Sequence, residues 1–316
     1  MKIIREESEL PKRRRRVVLT IGVFDGFHKG HRLILDTVLK EAEIISAASL
    51  LITFDVHPRL VNGHEFDGYI TERGKKISLL KDTGLTYIWY LRFARLNRLS
   101  PEKFLEYVQK YFQIEKIVIG EGFRFGRDAS GCASFLSVSG FKVKELKRLS
   151  VDRHPVSSSA IRDLIVKGDF ALIKKLLGRS YSINSKVVHG KGRGRTDLDV
   201  PTANLELHEK VIPPLGVYIT KVKYGSKEYP AITNLGYAPT MRANAKKQLC
   251  LETFLLDFRQ NIYGKDIEVI FLKFLRPEKI FPDMISLKLQ IQKDIRLARD
   301  FFRQERIAHS GTDARA

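Results

Sequence analysis

Cysteine is nearly missing from this 316-residue chain: Cys132 and Cys250, far apart, are the only two. That excludes a disulfide framework and points to a reducing cytoplasm. Long apolar runs are missing too. The longest, residues 44–54, is 11 residues and already holds two serines and a threonine; a membrane span needs about 20 apolar residues. The N-terminus is charged rather than apolar, so no secretory leader is expected. Acidic side chains are scarce beside basic ones, 36 against 56, for a net charge of +20. A basic surface captures phosphate backbones, yet only Arg13–Arg16 forms a dense run. The chain has neither the paired aromatic and basic motif of an RNA-binding sheet nor a zinc-knuckle spacing. Specific nucleic acid is therefore not expected as the main ligand, and phosphate-rich small substrates fit part of the excess charge. Composition is otherwise that of a globular chain long enough for two domains, and it sets no oligomeric state.

Within that frame, residues 22–31 stand out: Gly-Val-Phe-Asp-Gly-Phe-His-Lys-Gly-His. They follow the apolar run 17–21, which reads as a buried parallel strand, and precede a helix-face pattern through Leu33, Ile34, Val38, Leu39 and Ala42. Strand, glycine-bearing turn and helix start aim free backbone N–H groups and the positive helix end at an anion. His28 and His31, one helical turn apart, can point at one phosphate. Gly30 between them is expected to leave room for a nucleotide against the backbone. This pattern predicts attack on the α-phosphate of a nucleoside triphosphate, with the imidazoles steadying the charge that develops. A glycine turn with capping histidines is the plainer alternative.

Further along, strands are expected at 49–54, 87–91 and 116–120, and helices at 75–82 and 101–112. Ser100-Pro101 supplies a cap and a proline at the first helical position of the latter. Alternation of this kind predicts a doubly wound parallel sheet, with ligands outside the carboxyl ends of its strands. Two more helices, 160–166 and 169–177, end at Gly178. Short β-like segments then follow at 181–188, 216–224, 228–235, 249–257 and 267–275, which predicts a small antiparallel barrel or sandwich. A long amphipathic helix over 281–303 closes the fold, and a small polar tail follows it.

Three pieces of the first half resemble the adenylyltransferase half of bacterial bifunctional riboflavin kinase/FAD synthetases. They are Gly22–His31, the strand end Thr53-Phe54 to His57-Pro58, and Ser157-Ser158-Ser159-Ala160-Ile161-Arg162. In the second half, Gly190–Arg195, Pro201-Thr202-Ala203-Asn204, Gly216-Val217-Tyr218, Leu251–Phe258 and Asn261–Gly264 resemble the riboflavin kinase half of that family. The resemblance covers almost the whole chain in the expected order. It implies an N-terminal Rossmann-like nucleotidyltransferase domain, residues 1–178, and a C-terminal antiparallel β-barrel kinase domain with a terminal helix, residues 179–307. Residues 308–316 are left as a disordered tail.

The family also implies roles. ATP lies along the turn of Gly22, Phe24, Asp25 and Gly26, with Gly30, Thr53 and His57 in the same nucleotide site. His28 and His31 stabilise the α-phosphate while FMN attacks it. Ser157, Ser158 and Arg162 hold the β- and γ-phosphates, Arg162 as the charged clamp. In the kinase half, Glu252 is the base for the riboflavin hydroxyl, Thr202 and Asn204 face magnesium, and Gly190, Gly192, Arg193, Gly194 and Arg195 cradle phosphate. Riboflavin, FMN, FAD and ATP are the implied small-molecule partners, Mg2+ the implied cofactor, and no membrane partner is expected. Gly122 stands where the family has an acidic or amide residue, Asp199 where it has glycine, Phe254 where histidine is frequent. The rivals are an enzyme with one active domain and a basic RNA-binding protein on a degenerate nucleotide fold.

Overall fold

Strands apolar at every position need cover on both faces, and the first half of the chain supplies it. In the computed structural model, β1 (Lys2–Ile4), β2 (Arg15–Ile21), β3 (Ala48–Phe54), β4 (Tyr87–Leu91), β5 (Phe112–Gly120) and β6 (Val143–Leu146) form one sheet. Its order is β1-β4-β3-β2-β5-β6, and every pairing in it is parallel. The structure describes residues 1–63, 65–188, 203–207, 209–237 and 249–313. Its contacts divide the chain into two units. Residues 1–67, 73–161 and 176–178 form the first; residues 68–72, 162–175 and those from 179 onward form the second.

Successive residues of β2 serve opposite faces of the sheet. Val17, Leu19 and Ile21 pack with Leu50, Ile52 and Trp89; Val18 packs with Leu51, Ile88 and the helix residues Leu35 and Val38. Each fully buried side chain of this size contributes about 1.5–3 kcal/mol. The connecting helices are α1 (Lys29–Ile44), α2 (Pro58–Val61), α3 (Arg73–Lys81), α4 (Phe93–Leu96), α5 (Pro101–Gln109) and α6 (Ala133–Val138). Ser100 caps α5, its hydroxyl accepting from the Lys103 N–H at 3.4 Å. After β2 the chain crosses to β3 on one side, and β5 lies on the other. The turn that leaves β2 therefore sits at the switch point of the sheet, where such folds bind ligands. A two-stranded hairpin, β7 (Ser150–Val151) and β8 (His154–Pro155), precedes α7 (Ser158–Lys167) and α8 (Phe170–Leu177).

The second unit is a closed barrel and not a sandwich. Its strands are β9 (Ser182–Val188), β10 (Ala203–Glu206), β11 (Gly216–Tyr224), β12 (Lys227–Tyr237), β13 (Leu249–Leu255) and β14 (Asp266–Arg276), in the order β10-β13-β12-β11-β14-β9. Alternate residues are buried. Among them Thr220, Thr233 and Thr253 form a hydroxyl chain at 2.8 and 3.0 Å, which satisfies three polar groups without water. The closing helix, α9 (Met284–Asp313), covers the barrel from outside by packing Ala298 and Phe302 on Ile219 and Leu256. Arg276 and Asp294 anchor it through a buried ion pair of 2.7 Å. The helix was expected over 281–303 with a disordered tail from 308. Its backbone instead continues to Asp313, so 308–313 are helical.

Candidate active sites

The first site grows from the turn between β2 and α1. Phe24, Gly26 and Phe27 all take positive φ, 53°, 81° and 40°, which coils the chain tightly enough to seat His28 as the N-cap of α1. His28 Nδ1 accepts the His31 N–H at 3.2 Å, so a neutral His28 carries its proton on Nε2 and offers it as a donor. The two imidazoles stack with centroids 3.6 Å apart, and Phe24 lies 4.6 Å from the His31 ring. Burial, then the neighbouring His28 and Lys76, hold the His31 pKa well below its usual range. His31 is therefore neutral at physiological pH, and its Nδ1 has no hydrogen-bond partner among the described residues. Such a group steadies developing charge as a hydrogen-bond donor, not as a cation.

Gly30 has a different use from the expected one. A Cβ there would stand 3.2 Å from the His28 ring, so the space over the glycine is taken by the imidazole. Gly30 makes room for the histidine pair.

Thr53, at the end of β3, is fully buried and donates to the Val23 carbonyl at 3.1 Å. Ser158 reaches the same turn, its hydroxyl donating to the Asp25 carbonyl at 2.8 Å. Ser157 accepts the Ala160 N–H at 3.2 Å, a helix-capping contact. His57 is likewise a cap: its Nδ1 accepts the Arg59 N–H at 3.2 Å, and its ring packs on Phe66 at 4.4 Å. Arg162 is buried and gives its Nε–H to the Gly68 carbonyl at 3.0 Å, both residues belonging to the second unit. The structure thus gathers Gly22–His31, Thr53 and Ser158 around one turn, while Ser157 and His57 cap helices.

Two features of this site escape sequence reasoning. One is a cavity of about 1000 Å³ that begins at Gly22 and Val23 and is lined by Phe54, Phe93, Phe123, Phe125, Arg98 and Arg124, among others. Flat apolar rings with cations beside them suit a planar ligand that carries phosphate. The other is Lys76 on α3, 7% exposed, whose ammonium donates to Thr53 Oγ1 at 2.8 Å and to the Val23 carbonyl. A lysine within a charged helix reads as solvated, so nothing in the residue order marks it.

The second site lies on the barrel's outer face. Asn204 on β10, Glu252 on β13 and Asn234 on β12 are direct partners across three adjacent strands. Their side chains therefore share one face. Asn204 Oδ1 also meets Cys250 Sγ at 3.6 Å. Burial, then the Glu278 carboxylate, push the Glu252 pKa up, which makes it a better proton acceptor once ionised. Gly236 allows that approach, because a Cβ there would collide with the Glu278 carboxylate. Gly190, Gly192, Arg193, Gly194, Arg195 and Thr202 lie outside the described residues.

Comparison with known proteins decides between the readings these sites allow. A riboflavin kinase family model matches residues 177–302, and an FAD synthetase model matches residues 10–160. The bifunctional riboflavin kinase/FMN adenylyltransferase of Haemophilus influenzae is 34% identical over 292 residues, 90% of this chain and 94% of that one. The Escherichia coli protein of the same name is 33% identical over 293 residues, 90% and 92% of the two chains. This chain belongs to the bifunctional riboflavin kinase/FMN adenylyltransferase family. A solved structure titled as a macrolide-efflux protein of Streptococcus pneumoniae superposes with a TM-score of 0.82 at 27% identity, covering 94% of this chain and 98% of that one. Among the described residues, no helix of the present chain is long and apolar enough to cross a membrane.

The structure places two of the three positions that the resemblance singled out, Gly122 and Phe254. Gly122 has φ 75°, a conformation that glycine, asparagine and aspartate share. The carboxylate of the neighbouring Glu121 accepts the Arg148 N–H at 3.0 Å. Phe254 packs with Ile232 against the cluster under α9. Asp199 lies outside the described residues.

Proposed function

We propose that residues 179–307 phosphorylate riboflavin to FMN and that residues 1–178 then join FMN to the AMP of a second ATP, giving FAD and pyrophosphate. In the first step the riboflavin hydroxyl oxygen attacks the γ-phosphorus of ATP, ADP leaves, and Glu252 takes the hydroxyl proton. The burial of Glu252 and its register with Asn204 and Asn234 support this role. Asn204, with Thr202, would hold magnesium. An amide and a hydroxyl oxygen suit this hard cation, which keeps most of its ligands as water and phosphate oxygens. When bound, the ion neutralises phosphate charge.

In the second step an FMN phosphate oxygen attacks the α-phosphorus of ATP and pyrophosphate leaves. His28, through Nε2–H, and neutral His31 donate to the phosphate oxygens on which charge builds. The aromatic cavity beside Gly22 and Val23 receives the flavin ring. Both substrates are soluble and the cysteines are free, which supports a cytoplasmic enzyme.

The observation that carries the reading is the stacked pair of His28 and a neutral His31 at the switch point, in one chain with a half-buried carboxylate on a kinase-family barrel. Incubation of the enzyme with riboflavin and Mg-ATP, followed by chromatography of the flavins, tests it. FMN is expected first and FAD after it. Persistent FMN with no FAD would remove the adenylylation half of the proposal.

A further inference from the structure

Lys76 is buried where a neutral side chain would serve the fold as well. Thr53 already satisfies the Val23 carbonyl with its own hydroxyl at 3.1 Å. Yet Lys76 brings a full charge to the same corner, donating to Thr53 Oγ1 and to Val23 O. Both acceptors are neutral oxygens, which leave much of the cost of a buried charge uncompensated. An ammonium has three N–H donors and these contacts use two. Its surroundings are Tyr90 of β4, whose ring centroid lies 5.7 Å away, Asp25 of the turn, Arg73 of the same helix, and His31 of α1. An anion received by the turn would bring the counter-charge that the protein supplies only in part.

We propose that Lys76 is a positioning residue for adenylyl transfer, its ammonium fixing the Val23 turn against the end of β3 and holding positive charge behind the histidine pair where the nucleotide phosphates are received. The inference rests on the adenylyl-transfer reading above. Burial outweighs the help of Asp25, with Arg73 adding to it, and brings the ammonium down to about 8. The charge is therefore present below that pH and is lost as pH rises through it.

The test uses the full-length enzyme with FMN supplied. The kcat and KM for ATP are measured near neutral pH and well above pH 8, on wild type, Lys76→Met and Lys76→Arg. Thermal unfolding and near-UV circular dichroism of each variant report whether the first unit, which carries Lys76, has folded, and riboflavin phosphorylation reports on the second. Wild-type kcat/KM is expected to fall about tenfold or more across that range, as the free enzyme loses the ammonium proton. Lys76→Met should lose about tenfold near neutral pH, mainly in kcat, and show little further fall. Lys76→Arg, whatever its absolute rate, should keep most of its own neutral-pH value at the alkaline end, since a guanidinium stays charged. A Lys76→Met rate within about twofold of wild type overturns the inference, as does a Lys76→Arg profile with the wild-type alkaline fall. If Lys76→Met lacks the wild-type unfolding transition of the first unit, it has misfolded and the Lys76→Arg profile alone decides. A wild type that makes no FAD from FMN at any pH overturns the adenylyl-transfer reading itself, and the role of Lys76 with it.

Discussion

Glu278 and Lys76 show how far single residues can matter without belonging to a recognisable motif. Glu278 follows β14 in a loop, and its charge reaches Glu252 only because Gly236 leaves it space. The Glu252 pKa is raised first by burial and then by that neighbour. A base must be ionised to act, so kinase activity falls as pH drops through the raised value. Removing the like charge in Glu278→Gln is expected to move this acid limb to lower pH, leaving the rate near neutrality within about threefold. Rates of FMN formation measured against pH would show the displacement, and an unmoved limb would mean that Glu278 does not act on the base. At this scale the type and spacing of His28 and His31 suggested phosphate chemistry, whereas Glu252 was marked only by the family resemblance and alone reads as a surface strand residue. Ser157 and His57 look the same in sequence whether they bind phosphate or cap helices, and the structure gives them caps. Lys76 and Glu278 depend on contacts between residues distant in the chain, which no local pattern encodes.

Elements were legible to the extent that burial made their composition uniform. The central strands β3 and β4 begin and end within a residue of where the apolar runs place them, and β11 matches its expected span. The edges were not foreseen. β1 has three residues and β6 four, with lysines in each, as suits edge strands, whose outer side pairs with nothing. One of these edges carries an electrostatic tie. Glu41 of α1 accepts from Lys116 of β5 at 2.5 Å and from Lys144 of β6 at 2.7 Å. The Lys116 and Lys144 hydrogen bonds hold its pKa down to about 2, against an ordinary value near 4.5. A depressed carboxylate stabilises the fold above its unfolded pKa, and that contribution disappears as pH falls from about 4.5 toward 2. Glu41→Gln is expected to lower stability at neutral pH by about 1 kcal/mol, and the difference from wild type should vanish in acid. Urea titrations at the two pH values measure it; a constant difference would show that packing, not charge, is what the substitution removes.

For the molecule as a whole, two units with separate cores carry two separate sets of reactive side chains. The sequence order of the motifs foretold this arrangement. Choosing a barrel over a sandwich needed the β9–β10 and β9–β14 pairings, which close the ring, the latter between strands far apart in the chain. The central claim is that one chain performs two steps in series at independent sites. Glu252→Gln and His31→Asn, assayed singly and mixed, test it most directly. Supplied with riboflavin and Mg-ATP, Glu252→Gln should make neither FMN nor FAD yet still convert added FMN to FAD. His31→Asn should stop at FMN, and the mixture should yield FAD from riboflavin. A mixture that makes no FAD, or either substitution abolishing both reactions in a folded chain, would contradict the account.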